Sequence, residues 1–323
     1  LKLIRGSLRV GVSRNLVVRA LAEQTGIEPA VMAHRLSGQW VPTAEAFRAL
    51  IDPDPTQADP TRPYPFCLAH PIEEATEPLG ELNAWLPEWK WDGTRAQIIR
   101  RGGRPLIWSR GEALVTEAFP ELRDAARAWP EGTVVDGEIV AWEDERPMPF
   151  SMLQRRLNRK AVAPRLFPEV PVIFTAFDLL EAGGADVRDR PLEERRRRLG
   201  QLIETAAAGA DTETGCIRLS PALQATSWDA LKDRLAEARA LGAEGFMLKR
   251  RDSAYGVGRR RGPWWKWKLQ PHVIDAVLVS AQCGHGKRAG LLTDYTFAVW
   301  NGDALTPVAK AYSGLSNDEI DAV

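Results

Sequence analysis

This chain of 323 residues contains few cysteines and few lysines, and its formal net charge is zero. Only three cysteines occur, Cys67, Cys216 and Cys283, and no two of them form a C-x-x-C pair. This spacing argues against a structural zinc site or a disulfide framework and is typical of a reducing cytosol. The chain carries 43 basic and 43 acidic residues, so any binding of nucleic acid must depend on local basic patches.

Long apolar runs, internal repeats and low-complexity tracts are also lacking. No apolar stretch is long enough to span a bilayer, and no stretch has the pattern of a signal peptide. We therefore expect a cytoplasmic protein that makes no contact with membranes. Hydrophobic residues make up 44% of the sequence, which is enough to form the cores of two or three domains.

The N-terminal region is predicted to be helical and to end at a linker. Apolar residues recur at helical spacing within residues 1–52, and Ser13 is a candidate N-cap. Aspartate and proline dominate residues 53–65, a composition that is typical of a connection between domains. We expect a domain boundary near residues 53–60.

Residues 66–270 alternate between strand and helix patterns, which predicts an α+β domain of antiparallel sheets packed under helices. The predicted strands are 88–91, 95–100, 105–109, 133–142, 171–180, 215–219 and 245–250. The predicted helices are 119–129, 150–159, 191–207 and 227–241. The run Arg195-Arg196-Arg197-Arg198 is interpreted as a solvated helix face that pairs with Glu193 and Glu194.

Residues 271–323 contain short strand patterns, at 274–279, 295–300 and 307–312. They predict the start of a small β-barrel, for which the OB fold is the candidate, but three strands do not close such a barrel. The chain begins at Leu1 inside a helical pattern and ends at Val323 in another. We therefore expect the chain to be part of a longer protein.

One lysine has the surroundings of a nucleophile. Lys90 lies in an aromatic strand pattern that stops at Asp92-Gly93, a strong turn dipeptide. Burial and nearby cations both disfavour the ammonium form, and a neutral lysine amine is a nucleophile. On this stretch alone, a surface hairpin with a solvated lysine is the favoured interpretation.

Six short stretches occur in a fixed order and give the lysine its context. They are Lys90-Trp91-Asp92-Gly93-Thr94-Arg95, Trp108-Ser109-Arg110-Gly111, Val135-Asp136-Gly137-Glu138, Phe174-Thr175-Ala176-Phe177-Asp178, Glu244-Gly245-Phe246-Met247-Leu248-Lys249 and Trp264-Trp265-Lys266-Trp267-Lys268. Together they resemble the motifs of the covalent nucleotidyltransferases, most closely those of ATP-dependent DNA ligases. The resemblance extends over essentially the whole chain and is strongest to bacterial enzymes with the three-domain layout of archaeal and eukaryotic replicative ligases.

The resemblance implies a fold for each region. Residues 1–52 correspond to the end of a helical DNA-binding domain, residues 66–270 to the adenylation domain, and residues 271–323 to the start of an OB domain. The family's last basic motif, which lies on the OB domain and orients the pyrophosphate of ATP, has no counterpart in this chain.

The resemblance also implies roles for individual residues. Lys90 would form a lysyl–AMP phosphoramidate, and Phe177 would stack on adenine, although Phe174 competes for that role. Glu138 and Glu244 are the candidate ligands of Mg²⁺, which takes one or two carboxylates and keeps several waters. The remaining candidates for contact with the nucleotide are Glu88, Arg95, Arg110, Glu138, Arg260, Lys266 and Lys268.

The implied reaction is the sealing of nicks in double-stranded DNA by a monomer that uses ATP and Mg²⁺. AMP would pass from Lys90 to the 5′-phosphate of the nick, and the 3′-hydroxyl would then attack that phosphate. An RNA ligase or an mRNA-capping guanylyltransferase uses similar chemistry, but the helical region before the linker argues against both. A protein that binds nicks or ends without catalysis is a further alternative. The implied location is the nucleoid in a bacterial cytoplasm.

Overall fold

The chain divides into two units, Leu1–Leu269 and Gln270–Val323. The computed structural model describes residues 12, 14–36, 43–52, 61–72, 79–111, 113–157, 162–208, 215–269, 274–284, 286–312, 316 and 319–320. The predicted N-cap Ser13 and residues 53–60 of the predicted linker lie outside the described residues.

Helices form the N-terminal region and flank the sheets. They are α1 (Arg14–Thr25), α2 (Pro29–Arg35), α3 (Ala44–Ile51), α4 (Pro120–Ala125), α5 (Phe150–Gln154), α6 (Leu166–Glu169), α7 (Leu192–Ala208), α8 (Trp228–Asp233) and α9 (Leu235–Ala240). The first three pack on one another through a small core of Val18, Ala22, Met32 and Leu50. None of the described helices has the length and apolar character that a bilayer span requires.

The strands match the predicted ones closely and add several short pairings. They are β1 (Cys67–Leu68), β2 (His70–Pro71), β3 (Trp85–Trp91), β4 (Thr94–Arg101), β5 (Arg104–Ser109), β6 (Thr133–Glu143), β7 (Arg146–Pro147), β8 (Val172–Ala182), β9 (Ala185–Asp186), β10 (Ile217–Leu219), β11 (Ala243–Arg250), β12 (Gly258–Arg259), β13 (Trp264–Lys268), β14 (Val277–Cys283), β15 (Leu292–Asn301) and β16 (Ala304–Ala311).

The larger sheet has its strands in the order β10-β8-β6-β4-β5, with β7 paired to β6 and β9 paired to β8. Its long central strands β6 and β8 are antiparallel and rich in valine, isoleucine and leucine, which suit a buried pleated surface. One face packs against α4, α5 and α7 in the main hydrophobic core, where Leu122, Leu153 and Leu199 are fully buried.

The smaller sheet has the order β2-β13-β11-β3 and is unusually aromatic. Trp85 and Trp89 of β3, Phe246 of β11 and Trp265 of β13 form its core, together with Leu231 of α8. A third cluster brings the two sheets together, because Ile99, Val134 and Leu180 of the larger sheet pack in it with Trp264 of the smaller one.

The chain passes from the smaller to the larger sheet at the turn Asp92-Gly93. Strand β3, before the turn, belongs to the smaller sheet, and β4, after it, belongs to the larger one. The predicted turn is therefore present, but it does not close a simple hairpin. A Cβ atom on Gly93 would lie 2.4 Å from the carbonyl oxygen of Ile139 and 2.9 Å from Cγ of Glu138, so only glycine allows this close approach to β6.

The predicted α+β class is confirmed, with one difference in detail. Most pairings are antiparallel, but the short pairs β1·β12, β2·β13 and β8·β10 are parallel. In the second unit, β14, β15 and β16 form an antiparallel sheet of three strands.

A buried arginine ties α4 to the segment around α6. The guanidinium of Arg156 is fully buried, forms a bidentate pair with Glu121 at 2.6 and 2.8 Å, and lies between the rings of Phe119 and Phe167. It also donates to the carbonyl oxygens of Ala118 and Val170. A charge without access to water is stable only when its donors are paired in this way.

We expect Arg156→Ala to lower the free energy of unfolding by about 3–5 kcal/mol, because it leaves Glu121 and two carbonyl groups without their buried partner. Urea denaturation followed by tryptophan fluorescence measures this change. The neighbouring Arg155 is the matched control, since its pair with Glu169 is largely exposed. Arg155→Ala should change stability by less than about 1 kcal/mol. Similar losses in both variants would contradict this assignment.

Candidate active site

A polar cleft of about 580 Å³ is lined by residues of both sheets in the first unit. Its size lies within the range of small-molecule sites, roughly 300–1,000 Å³. Of the ten predicted site residues, nine line this cleft: Glu88, Lys90, Arg95, Arg110, Glu138, Phe177, Glu244, Lys266 and Lys268. Residues more than 150 positions apart in sequence therefore meet in one place, as the motif resemblance implied.

Lys90 extends from β3 into this cleft and pairs with Glu244 of β11. The lysine side chain is 22% exposed, so it is neither free in solvent nor sealed in the core. Lys268 also approaches Glu244, with 3.3 Å between Nζ and Oε2. Burial opposes a charge on Glu244, but the hydrogen bond and charge of Lys90 hold its pKa below the ordinary value.

The contact with Glu244 fixes the position of the Lys90 amine in the cleft. Because Glu244 is also a candidate ligand of Mg²⁺, the candidate nucleophile and the candidate metal site share one carboxylate.

Glu138 lies on the wall of the cleft opposite Lys90, in surroundings that disfavour the charged form of its carboxylate. Burial raises its pKa from 4.5 to about 7, and the positive charges of Arg95, Lys90 and Arg110 offset this effect only in part. Its backbone lies opposite Arg95 in the sheet, at the point where β6 passes under Gly93. A bound cation or a hydroxyl donor would compensate for the lost hydration of this group.

Basic side chains converge on the wall opposite Glu138. Burial lowers the pKa of Lys266, and the charges of Arg259, Lys268, Lys90 and Arg110 lower it further. Arg110 is exposed, and its backbone N–H donates to the carbonyl oxygen of Arg95 at 2.8 Å. Like charges held this closely repel one another, so a polyanion would bind here with a favourable electrostatic energy.

Glu88 lies two positions before Lys90, and its carboxylate is buried between two cations. Nζ of Lys249 lies 2.6 Å from Oε2, and Nη1 of Arg196 donates to Oε1 at 2.7 Å. Arg196 also donates to the carbonyl oxygens of Ser220 and Phe177. The side chain of Glu88 therefore positions its neighbours, while its backbone remains at the cleft.

The interpretation of the four-arginine run as a solvated face is wrong for its first two members. Arg195 is fully buried and forms a bidentate pair with Asp178 at 2.7 and 2.9 Å. Arg196 reaches Glu88, as described above. Only Arg198 makes the expected pair, with Glu194 one turn earlier. The arginines that face the sheet thus hold strands β3 and β8 against α7.

Arg95 lies beneath the cleft with most of its donors engaged by the protein. It donates to Asp136 from Nε at 3.1 Å and from Nη2 at 2.7 Å, and to the carbonyl oxygen of Cys67 from Nη1 at 2.5 Å. Tyr255 donates its hydroxyl to Asp136 at 2.5 Å and completes the network. The expected contact of Arg95 with a ribose or phosphate therefore competes with contacts that stabilise the cleft floor.

The two candidate phenylalanines on β8 have different surroundings. Phe174 is fully buried in the main core, where its ring packs so closely on Gly137 that a Cβ there would lie 2.4 Å from it. Phe177 lines the cleft instead. The register of β8 against β6 shifts between positions 176 and 178, so Phe177 is the extra residue of a β-bulge. Thr175 and Phe177 line the cleft while Phe174 and Ala176 lie in the core, so the ordinary alternation of a strand places the two phenylalanines on opposite faces.

Arg260, the tenth predicted site residue, is not among the residues that line the cleft. Its guanidinium pairs with Glu28, just before α2, at 2.9 Å, and only its neighbour Arg259 lines the cleft. Arg259 lies on β12, which pairs with β1 at Leu68. Because successive residues of a strand point to opposite sides, a one-residue difference in alignment selects the wrong arginine.

Three charged residues at the cleft were not among the predicted ones. Lys249 ends the fifth motif, and its position in that motif was a signal that could have identified it. Arg259 belongs to the densest basic stretch, which offers three adjacent arginines and no means of choosing among them. Asp92 adjoins Lys90, and burial together with the charge of Glu244 raises its pKa.

Glu138 and Glu244 are the residues whose surroundings show whether the cleft suits a magnesium ion. Among the described residues, no three Asp, Glu, His or Cys side chains form a cluster that would hold a metal by themselves. Mg²⁺, however, takes one or two carboxylates together with substrate phosphates and water. Glu138 is buried with a raised pKa, and a cation nearby would stabilise its charged form. The residues present therefore fit the ion.

We expect Glu138→Gln to alter the dependence of stability on pH. Because the folded-state pKa is raised, the native protein binds more protons than the unfolded chain between about pH 4.5 and 7, and wild-type stability falls as pH rises through that window. The variant lacks this loss. Its stability relative to wild type should be greater at about pH 8 than at about pH 5, by on the order of 1–3 kcal/mol.

Urea denaturation at the two pH values measures the effect of Glu138→Gln. Glu143→Gln is the control, because Glu143 is an exposed carboxylate on the same strand. If Glu138→Gln and Glu143→Gln show the same difference between the two pH values, then Glu138 does not have a raised pKa.

Comparison with known proteins places this geometry in a family. Residues 66–268 match the family described as "ATP dependent DNA ligase domain". A probable DNA ligase of Koribacter versatilis (strain Ellin345) is 38% identical over 338 residues, which cover 99% of this chain and 58% of that protein. A DNA ligase of Thermococcus fumicolans is 30% identical over 329 residues, 98% of this chain and 57% of that protein.

Solved structures show the same fold. A structure from an analysis of Lig E DNA ligases superposes with a TM-score of 0.60 at 20% sequence identity, and the match covers 80% of this chain and 87% of that one. The chain spans less than two thirds of the length of both relatives named above. Since the family match extends over most of the chain and includes every strand of both cleft walls, this protein belongs to the ATP-dependent DNA ligase family.

Proposed function

We propose that the protein is an ATP-dependent DNA ligase that seals nicks in duplex DNA through a lysyl–AMP intermediate. The observation that carries this proposal is the position of Lys90, whose amine lies in a cleft between two carboxylates and a group of basic side chains. A nucleophile, candidate metal ligands and a phosphate-binding wall thus occur together. Residues 66–268, which hold all of them, are also the part that matches the family.

In the first step, the lone pair of Nζ of Lys90 attacks the α-phosphorus of ATP. A nitrogen–phosphorus bond forms, the bond to the pyrophosphate oxygen breaks, and the nitrogen gives up one proton to solvent while keeping one hydrogen in the phosphoramidate. The charges of Lys266 and Lys268 stabilise the negative charge that spreads over the phosphate oxygens in the transition state.

Glu138 and Glu244 are the residues that would hold Mg²⁺. The ion supplies positive charge that stabilises the phosphate oxygens and the leaving pyrophosphate. The contribution of the protein is to hold the two carboxylates on opposite walls, one on β6 and one on β11.

In the second and third steps, AMP passes to the 5′-phosphate of the nick and the 3′-hydroxyl displaces it. The exposed guanidinium of Arg110, at the edge of the cleft, suits contact with a DNA phosphate because its planar fork matches two phosphate oxygens. Arg95 is assigned a positioning role beneath the nucleotide, and the backbone at Glu88 is assigned to the adenine edge.

The regions outside the matched residues are assigned by the resemblance. We propose that residues 1–52 belong to a helical DNA-binding domain, that 53–65 form a linker, and that 271–323 begin an OB-fold domain. Contacts of these domains with DNA would be mainly to phosphate and sugar, so little sequence preference is expected. A monomer in the bacterial cytoplasm, associated with the nucleoid, is the expected form.

Incubation with labelled ATP and then with a nicked duplex tests the proposed function. Wild type should form a protein–AMP adduct, seen by intact-mass spectrometry, and then seal the nicked DNA. Lys90→Arg keeps a cation beside Glu244 but removes the nucleophilic amine, so it should form no adduct. Lys232→Arg, at an exposed lysine of α8, should behave as wild type.

Other outcomes of this experiment would contradict the proposal. An undiminished adduct in Lys90→Arg would place the nucleophile elsewhere. An adduct formed only with GTP would indicate a capping-type enzyme. Sealing of nicked RNA but not of nicked DNA would indicate an RNA ligase.

Replacement of the two phenylalanines of β8 separates base stacking from packing. Phe177→Ala should weaken ATP binding by about 1–3 kcal/mol, the scale of base–aromatic stacking, with a small effect on folding. Phe174→Ala should instead lower the free energy of unfolding by about 3–5 kcal/mol, because it opens a cavity in the main core. Calorimetric titration with ATP and urea denaturation measure the two effects. Weaker ATP binding in Phe174→Ala alone would reverse the assignment.

A further inference from the structure

Thr175 carries a buried hydroxyl that has no partner in the protein. The residue lies on β8, is 4% exposed and lines the cleft. Its Oγ1 forms no hydrogen bond with any of the described residues. Buried polar groups in folded proteins are nearly always paired, so an unpaired one requires an explanation.

The other buried threonines of the described chain are satisfied within the fold. The hydroxyl of Thr133 donates to the carbonyl oxygen of Pro130 at 2.8 Å, and that of Thr116 accepts from the backbone N–H of Ile107 at 3.0 Å. Both residues lie away from the cleft lining. The unpaired hydroxyl therefore occurs at the one buried threonine among the described residues that faces the candidate nucleotide site.

The neighbours of Thr175 place it between Phe177, where the base is proposed to bind, and Lys90, where the α-phosphate is proposed to bind. Thr175 lies directly opposite Glu138 in the sheet, and Glu138 lies directly opposite Arg95. Side chains at such directly opposed positions have Cβ atoms about 4.5–5.5 Å apart and share one face of the sheet. Phe177 follows two positions later on the same strand, and Lys90 lies close enough to Glu138 to lower its pKa.

In a nucleotide, the sugar joins the base to the phosphates. With the base on Phe177 and the α-phosphate at Lys90, as the proposed function requires, the sugar lies beside Glu138 and Thr175. A sugar hydroxyl both donates and accepts hydrogen bonds. A carboxylate that accepts and a threonine hydroxyl that does either are complementary to it.

We propose that the hydroxyl of Thr175 binds a ribose hydroxyl of the nucleotide and so makes this protein prefer ATP over its deoxy analogues. This inference rests on the proposed function, because it requires the nucleotide to lie in this cleft. Because Thr175 lines the cleft, a nucleotide bound there lies beside its side chain. The bound nucleotide then supplies the partner that the protein lacks.

The test is calorimetric titration of the chain with ATP, 2′-deoxyATP and 3′-deoxyATP. The variant Thr175→Val keeps the shape of the side chain and removes the hydroxyl. It should weaken ATP binding about three- to tenfold, the value of one neutral hydrogen bond. Binding of the analogue that lacks the contacted hydroxyl should be unchanged, so the preference for ATP over that analogue disappears. The two analogues identify which hydroxyl is contacted.

Two further variants control for effects on folding. Thr175→Ser retains a hydroxyl and should keep the preference for ATP. Thr133→Val removes the hydroxyl of a buried threonine on β6 that does not line the cleft. It should lower stability in urea and leave the preference for ATP unaltered.

Several results would overturn the inference. If Thr175→Val weakens all three nucleotides equally, the threonine has only a structural role. If it weakens none of them, the hydroxyl contacts no sugar. In both cases wild type still binds ATP, and the proposed function stands. If wild type binds none of the three nucleotides, the proposed function itself fails and this inference fails with it.

Discussion

The contact between the two sheets is the constraint on which the site depends. Strand β3 carries Lys90 in the smaller sheet, and one turn later the same chain enters the larger sheet as β4. That turn can pass over β6 only because residue 93 has no Cβ. The shared cluster around Trp264 then holds the sheets together, so the lysine of one wall faces the glutamate of the other. Without this contact, the motifs that follow one another along the chain would not meet in one site.

The charged groups beneath the cleft and those that face it differ in how well their charges are compensated. The charges beneath it are fully paired, as in the network of Arg95, Asp136 and Tyr255. Two of the charges that face the cleft are instead in unfavourable surroundings, since the pKa of Glu138 is raised and that of Lys266 is lowered. Groups with perturbed pKa values tend to cluster where a protein binds ligands or performs chemistry. Here the unbalanced groups are those that a nucleotide and a metal ion would compensate.

Helix α7 supports the site through two buried arginines that its sequence pattern does not distinguish from exposed ones. Arg195 and Arg196 extend from its buried face to Asp178 and Glu88, which lie next to Phe177 and two positions before Lys90. Loss of one partner of a buried ion pair strongly destabilises the fold, so these pairs help to hold the strands in register. From the sequence alone, the buried face of the helix is unknown, and these two arginines have the pattern of a solvent-exposed surface.

The order of six motifs, the α+β class and the turn at Asp92-Gly93 were determined by the sequence alone, because they depend on local patterns. Tertiary structure decided which face of β8 lines the cleft, and therefore that Phe177 and not Phe174 reaches it. It also replaced Arg260 by Arg259 through a pairing of β12 with a distant strand. Side-chain direction and charge pairing depend on contacts between residues that are far apart in the chain, and no local pattern contains that information.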